Sequence, residues 1–181
     1  MRKLIMVLLV VVTVPLFAQE TDAKPAFSEF PQALGAYANS TLTGGLSWQY
    51  WIGKVGISIT AGGLYSETYL FGNPLDYNVQ AEVQYQVYGV DFTSWAGGVL
   101  YVLGLVGHRG IIPMVYTPDI DITMQGVYST GPYTPSFALG FGIGIEPILF
   151  RHLSFPIEFM YIGQFPLKLE PSFGGGLRYR Y

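Results

Sequence analysis

The sequence predicts an all-β fold: a closed, antiparallel, up-and-down transmembrane β-barrel of eight strands, preceded by a cleaved signal peptide. Three observations predict this fold: apolar and polar residues alternate, the chain begins with an apolar leader, and the composition is poor in charged residues. The alternation is strictest at the C-terminus, where Leu177, Tyr179 and Tyr181 share one strand face and Arg178 and Arg180 the other. A membrane barrel needs such an apolar face toward lipid and such a polar face toward its lumen.

The first 18 residues are typical of a secretory signal peptide. Arg2 and Lys3 form a basic start, residues 4–17 are almost wholly apolar, and Ala18 is suited to cleavage. The apolar run is shorter than the about 20 residues of a membrane-spanning helix, and a retained anchor is the alternative. We therefore expect a barrel domain at residues 19–181, exported across the inner membrane to a bacterial outer membrane.

The composition excludes several classes of function. Charged residues make up 12% of the chain, against about 25% in soluble domains. Loss of the signal peptide leaves seven basic and 12 acidic residues, a net charge of −5 that argues against a nucleic-acid partner. The chain has no cysteine, which excludes disulfides, thiolate metal sites and a cysteine nucleophile, and we expect no cofactor.

Segments with a period of two residues give the strand count. The clearest is residues 77–87, where apolar side chains alternate with Asn, Gln and Glu over the length of a tilted membrane strand. Similar segments are residues 45–50, 55–65, 137–146, 153–161 and 176–181, together with residues 95–105, which are apolar on both faces and whose facing is open. Because a bacterial barrel has an even strand count, residues 27–37 are the candidate for the eighth strand.

The connections alternate in length, as they do in membrane barrels. Short turns fall at residues 52–54, 92–94 and 150–152, on the periplasmic side, and external loops fall at about 66–76, 108–135 and 163–170. Aromatic residues gather near the short turns (Trp48, Tyr50, Trp51, Phe92, Trp95, Phe150, Tyr179, Tyr181) and near the external loops (Tyr65, Tyr69, Phe71, Tyr77, Tyr133, Phe137, Tyr161, Phe165). Two aromatic girdles favour a barrel in a bilayer over the alternative, a secreted soluble β-sandwich.

With these features the chain resembles the small OmpA-, OmpX- and OmpW-like outer-membrane proteins. The resemblance is architectural and covers nearly all of the mature chain. Its specific part is the C-terminal end, where Leu177, Tyr179 and Tyr181 are similar to the signal that the barrel-insertion machinery reads in that class. The resemblance implies outer-membrane lipid and that machinery as partners, although a terminal Phe is commoner in the class than Tyr181.

The charged residues predicted to face the lumen are Glu82, Glu146, Glu158, Arg178 and Arg180. An eight-stranded barrel is just wide enough inside for side chains or one small ligand, and a charge in so confined a space needs a partner. We therefore predict an ion-pair network centred on Arg178 that plugs the barrel and holds its register, with a gate as the alternative. The inward-facing Gly140, Gly142 and Gly144 leave space above it for water, aromatic side chains or a small apolar solute.

One segment raises an enzymatic alternative, an outer-leaflet lipid-modifying barrel. His152 and Ser154 have the His-x-Ser spacing of the lipid A deacylase family, and Glu158 is a candidate orienting acid. The pair lies at the predicted periplasmic end, whereas that family's site faces the outer leaflet. The other histidine, His108, belongs to the opposite rim and cannot complete a dyad. We therefore predict a barrel without enzymatic activity.

The external loop at residues 108–135 is the expected functional surface, since loops on rigid scaffolds carry binding function. Residues 119–125 alternate again, which predicts strands that project beyond the membrane. Asp119 and Asp121 could attract a cation there, but two carboxylates fall short of a calcium site. The predicted role of the monomer is surface binding of an external ligand or host protein, structural support, or narrow porin-like permeation of small solutes.

Overall fold

The computed structural model describes residues 27–65, 75–117, 127–165 and 168–181. Regular secondary structure within these ranges is entirely β-strand. The strands are β1 (Gln32–Asn39), β2 (Thr43–Ile52), β3 (Val55–Tyr65), β4 (Leu75–Asp91), β5 (Ala96–Ile112), β6 (Met114–Thr117), β7 (Val127–Thr130), β8 (Thr134–Leu149), β9 (Leu153–Ser154), β10 (Ile157–Phe165) and β11 (Lys168–Arg180). No helix in the described ranges has the length and apolarity to cross a membrane.

Eight of the described strands close into a ring. Each pairs antiparallel with the next in the order β1, β2, β3, β4, β5, β8, β10 and β11, and β11 returns to β1 with Ala33 opposite Arg180. The short β9 continues the line of β10 and pairs with β8 and β11. Pro156 separates β9 from β10 because proline lacks the N–H that a ladder needs. The predicted all-β, up-and-down, eight-stranded barrel is therefore confirmed.

The two ends of the barrel differ. We call the end that carries Gln32 and Tyr181 the lower end; there the two backbones exchange hydrogen bonds, with Tyr181 N donating to Gln32 O at 2.8 Å. The short turns predicted at residues 52–54, 92–94 and 150–152 all lie at this lower end. The other end, which we call the upper end, carries the turn at residues 40–42 and the hairpin of β6 and β7.

Side chains alternate between the two faces of the wall. In β4, Asn78, Gln80, Glu82, Gln84 and Gln86 are all buried inside. A register shift between Gln86 and Tyr88 interrupts the alternation, so that both Val87 and Tyr88 lie outside. The facing that the sequence left open for β5 is decided by the ring: Val99, Tyr101, Leu103 and Leu105 are inside, and Leu100 and Val106 are outside.

The outer surface is an apolar band with aromatic residues at its ends. Exposed members of the band include Leu46, Ile57, Ile59, Val83, Val106, Leu139, Ile143, Ile157 and Leu177. At the lower end Trp95 stacks on Phe150 with ring centroids 5.8 Å apart. Among the predicted girdle residues whose side chains are described, Trp51 differs: it is turned inside, because the inward positions of β2 continue from Gln49 to Trp51.

Three predicted boundaries differ from the structure. The first strand is β1 at Gln32–Asn39, because residues 27–31 lie outside the sheet. Pairing of β10 with β11 continues up to Gln164 and Lys168, so the connection predicted at residues 163–170 is shorter than expected. Much of the loop predicted at residues 108–135 is strand, since β5 reaches Ile112, β8 begins at Thr134, and β6 and β7 form a hairpin beyond them.

Several predicted features lie outside the described residues. These are the signal peptide at residues 1–18, most of the external loop at 66–76, the girdle residues Tyr69 and Phe71, and the two aspartates Asp119 and Asp121.

Candidate functional site in the barrel interior

Five charged side chains meet inside the barrel. Glu82, Glu146, Glu158, Arg178 and Arg180 are each 2% exposed or less. They come from β4, β8, β10 and β11, where the two-residue period turns these positions inward. The structure thus brings together the residues that the sequence directed to the lumen, and their role as a plug stays a prediction.

Glu158 accepts hydrogen bonds from two tyrosines. The Tyr101 hydroxyl donates to Glu158 Oε1 at 2.6 Å, and the Tyr37 hydroxyl donates to Oε2. Tyr101 and Tyr37 lie on β5 and β1, each two strands from β10 in opposite directions around the ring. Hydrogen bonds to a charged group contribute about 1.5–3 kcal/mol each, so this triad ties the barrel wall together across its interior.

Arg178 differs from its predicted arrangement. Among the described residues its hydrogen bonds go to hydroxyl groups, with Nε donating to Ser47 Oγ at 3.1 Å and Nη2 to Ser58 Oγ at 3.2 Å. Its guanidinium also lies over the Tyr37 ring, 5.4 Å from the centroid. The side chain reaches toward β2 and β3 because Gly35, its neighbour on β1, has no side chain in the way.

Arg180 lies on β11 two positions nearer the lower end than Arg178, and it forms an ion pair inside the barrel. Arg180 Nη1 is 3.8 Å from Glu146 Oε1. Gln49 Nε2 donates to Glu146 Oε2 at 3.0 Å and to Gln84 Oε1 at 2.9 Å, and Arg180 Nε donates to the Phe30 carbonyl at 3.2 Å. Arg180 and Glu146 therefore each have a partner of opposite charge and at least one neutral hydrogen-bonding partner.

The upper half of the lumen is apolar on one wall and filled by side chains. Its buried members are Leu103, Leu105, Ala138, Met160 and Ile162. The space beside the inward glycines is also occupied, since a Cβ on Gly144 would overlap the Tyr101 ring and a Cβ on Gly142 would overlap Met160. Of the occupants predicted for that space, the described residues supply an aromatic ring, and they add the Met160 side chain, which was not predicted.

The turn between β1 and β2 closes the upper end. Leu42 is 0% exposed and packs where Gly107 lacks a side chain, with its Cδ1 2.6 Å from the position of an added Cβ. Asn39 Oδ1 accepts hydrogen bonds from the backbone N–H groups of Thr41 and Leu42, and Asn39 Nδ2 donates to Gln80 Oε1 at 2.8 Å. The turn is therefore tied to the opposite wall as well as packed against it.

Residues 27–31 close the lower end. Phe27 is buried, and its backbone N–H donates to Asp91 Oδ1 at 3.3 Å. Arg151 pairs with Glu29 and lies 5.8 Å from the centroids of both the Phe27 and Phe30 rings. With Leu42 above and Phe27 below, the charged centre is sealed at both ends by described residues.

Sequence reasoning missed Tyr37, Tyr101 and Leu42. Tyr101 lies in the strand that is apolar on both faces, Tyr37 in the strand inferred only from parity, and Leu42 in a turn. The inward glycines of β8 and β11 carry a signal that could have found the two tyrosines. Gly144 and Gly174 lack side chains at the places where Tyr101 and Tyr37 pack.

The enzymatic alternative finds no assembled triad among the described residues. His152 Nδ1 lies 2.8 Å from the Arg180 carbonyl oxygen, and its ring stacks on Tyr179. Ser154 is buried on the inner face, and Glu158 is engaged by its two tyrosines. In the described ranges no group of three or more His, Cys, Asp or Glu side chains is arranged to hold a metal ion.

The fold and its interior define a class, the small closed β-barrel of eight antiparallel strands. By three-dimensional structure, the chain is similar to the N-terminal β-barrel domain of Pseudomonas aeruginosa OprF, at 16% identity and a TM-score of 0.54, covering 83% of this chain and 96% of that one. It also matches Neisserial surface protein A (15% identity, TM-score 0.41, 83% and 95% coverage) and Ail of Yersinia pestis (13%, 0.37, 83% and 96%). Comparison of the sequence with family models and with curated proteins finds no match.

Proposed function

We propose that this protein is an integral outer-membrane barrel that acts as a sealed, rigid anchor and presents its upper hairpin at the cell surface. The observation that carries the proposal is the combination of an apolar outer band with a lumen that is filled and charged inside. A polar interior behind an apolar exterior is the arrangement that lipid favours and water disfavours. We propose no enzymatic activity for it.

The upper hairpin supports a surface-binding or structural role. β5 and β8 pair as far as Ile111 and Thr134, and β6 and β7 continue the projection with Met114 opposite Thr130. Among the described strands, β6 and β7 pair only with each other, so an extended segment of another protein can join the edge of this ribbon by backbone hydrogen bonds. This ribbon is therefore the proposed contact surface for an external ligand or host protein.

Narrow permeation is the second candidate. The observation that favours it is a set of buried lumenal atoms without a hydrogen-bond partner among the described residues, including Arg178 Nη1, Gln80 Nε2 and Gln86 Oε1. Such atoms can form hydrogen bonds with new partners, so a rearranged network could open a narrow polar path through the lumen beside them.

Planar-bilayer conductance separates the two candidates. We expect the refolded mature protein to shift in gel mobility on boiling, as a closed barrel does, and to give no steady conductance, because side chains fill its lumen. Steady conductance of the wild type that changes in Arg178→Ala would contradict the sealed anchor and favour permeation. A chain that stays soluble without detergent and shows no mobility shift would contradict the membrane assignment itself.

We also propose that the C-terminal strand is read by the barrel-insertion machinery through its outward Leu177, Tyr179 and Tyr181, all of which are exposed. Because the Tyr181 backbone pairs with Gln32, deleting the residue would disturb the barrel as well as the signal. Tyr181→Ala keeps that backbone, so we expect it to lower the yield of heat-modifiable protein in cells, while Tyr181→Phe does not. The check is refolding in detergent, which needs no machinery. An equal loss for Tyr181→Ala there would mean that the ring serves stability and is no signal.

A further inference from the structure

The charges buried inside the barrel do not balance. Three carboxylates, Glu82, Glu146 and Glu158, face two guanidinium groups, Arg178 and Arg180, and none of the five is more than 2% exposed. The next pair above, Arg109 and Asp76, is balanced within itself, with Arg109 Nη2 2.7 Å from Asp76 Oδ2. The described interior thus carries one negative charge in excess.

The contacts show which carboxylate is in excess. Glu146 has Arg180 at 3.8 Å and the Gln49 amide at 3.0 Å. Glu158 accepts from both the Tyr37 and Tyr101 hydroxyls, and these donors suit the ionised form, because a protonated carboxyl would offer them less. Each of these two carboxylates therefore has polar partners of its own, an arginine and an amide for Glu146 and two hydroxyl groups for Glu158.

The side chain of Glu82 has fewer partners than those of Glu146 and Glu158. Its Oε2 accepts one hydrogen bond, from Gln84 Nε2 at 3.0 Å, while its Oε1 is buried and has no protein partner. The residues paired with it on the neighbouring strands, Ser58 on β3 and Leu105 on β5, are uncharged. The charged and titratable groups that face it across the lumen are Glu158, Arg178 and Tyr37.

Arg178 cannot serve both acids fully. Its hydrogen bonds to described residues go to Ser47 and Ser58 and none goes to either acid, so it acts on Glu82 and Glu158 only through space. A buried carboxylate without a dedicated counter-charge is costly, and in proteins such a group is neutralised instead.

We propose that Glu82 Oε1 is a binding position for one monovalent positive charge in the sealed barrel, supplied by a proton or by an alkali metal ion. Either brings the charges of the described interior to neutrality. The inference rests on the closed lumen of the proposed function but not on whether the barrel binds a partner or supports the membrane. The site lies at the level of the tyrosine triad, so the bound charge also relieves the repulsion between Glu82 and Glu158.

Glu→Gln substitutions test the charge assignment, because glutamine is close in shape to the neutral acid. We expect Glu82→Gln to unfold in urea at the same concentration as the wild type or higher. Glu146→Gln and Glu158→Gln are the matched controls and should unfold at lower concentration, since each leaves a buried guanidinium or two tyrosine hydroxyls without their anion. A Glu82→Gln midpoint clearly below that of the wild type would overturn the proposal.

Two further series of unfolding measurements, one against pH and one against the cation present, identify the source of the charge. Neither series needs the control variants to fold. If a proton is bound, the wild-type folding equilibrium constant falls by up to about tenfold per pH unit as Glu82 loses it, and Glu82→Gln removes that part of the dependence. If an alkali ion is bound, the wild-type midpoint at fixed pH rises with sodium or lithium but not with a bulky organic cation, again only while Glu82 is present. The proposal fails if the wild type and Glu82→Gln respond identically to both pH and cation. Steady conductance of the wild type would instead count against the sealed lumen.

Discussion

Replacing Ile143 by arginine will destabilise the barrel in a lipid bilayer by about 2–4 kcal/mol, the cost of a basic residue on the lipid face near the bilayer midplane. Ile143 is 55% exposed and lies midway along β8, between Val102 on β5 and Phe159 on β10. Its side chain therefore meets whatever surrounds the barrel. The measurement is reversible urea unfolding of protein inserted in vesicles.

A matched control separates depth in the bilayer from exposure alone. Phe92 is 70% exposed but lies in the lower turn between β4 and β5, so Phe92→Arg should cost about 0–1 kcal/mol. Equal and small effects at the two positions would mean that no apolar phase surrounds the band. In that case the exterior would be that of a secreted soluble protein, as in the β-sandwich alternative of the sequence analysis. The closed ring of strands would still not fit a sandwich.

Replacing Gly144 by valine will disrupt the tyrosine triad. An added Cβ overlaps the Tyr101 ring, so the ring must move and its 2.6 Å hydrogen bond to Glu158 is lost. Overpacking costs about 1–3 kcal/mol, and a buried acceptor left short of its donor adds about 1–3 kcal/mol. Trp51 lies edge-on to Tyr101 at 6.0 Å, so tryptophan fluorescence should report the displacement together with the lower unfolding midpoint.

Gly175 provides the control on the outer face. A Cβ there meets only the Pro156 carbonyl oxygen, at 3.6 Å, and valine suits a strand facing lipid. Gly175→Val should therefore leave the midpoint close to that of the wild type. If both glycine substitutions were tolerated equally, the interior at Gly144 would be looser than the described packing, and the sealed lumen would lose its main support.

Much of the fold could be predicted from the sequence because the barrel wall obeys a local rule. Lipid outside and polar groups inside impose a two-residue period, and that period is readable wherever the two environments differ. From this period the sequence predicts which residues of β4 and of the C-terminal strand face the lumen, and it places all five buried charges inside the barrel. It failed for β5, because the inner wall there is itself apolar: Leu103 and Leu105 belong to the buried cluster that contains Met160 and Ile162.

The sequence by itself therefore determined the fold class, the strand count and the face on which each strongly alternating residue lies. The tertiary structure alone decided which of those residues touch. Tyr37 and Glu158 are 121 residues apart in the chain, and only the closing register of β1 with β11 brings them within hydrogen-bonding distance. The same holds for Leu42 beneath the upper rim and for Arg178, whose partners turned out to be serines on β2 and β3. Facing is set by the period along one strand, whereas contact across a lumen is set by register and curvature, which no single segment encodes.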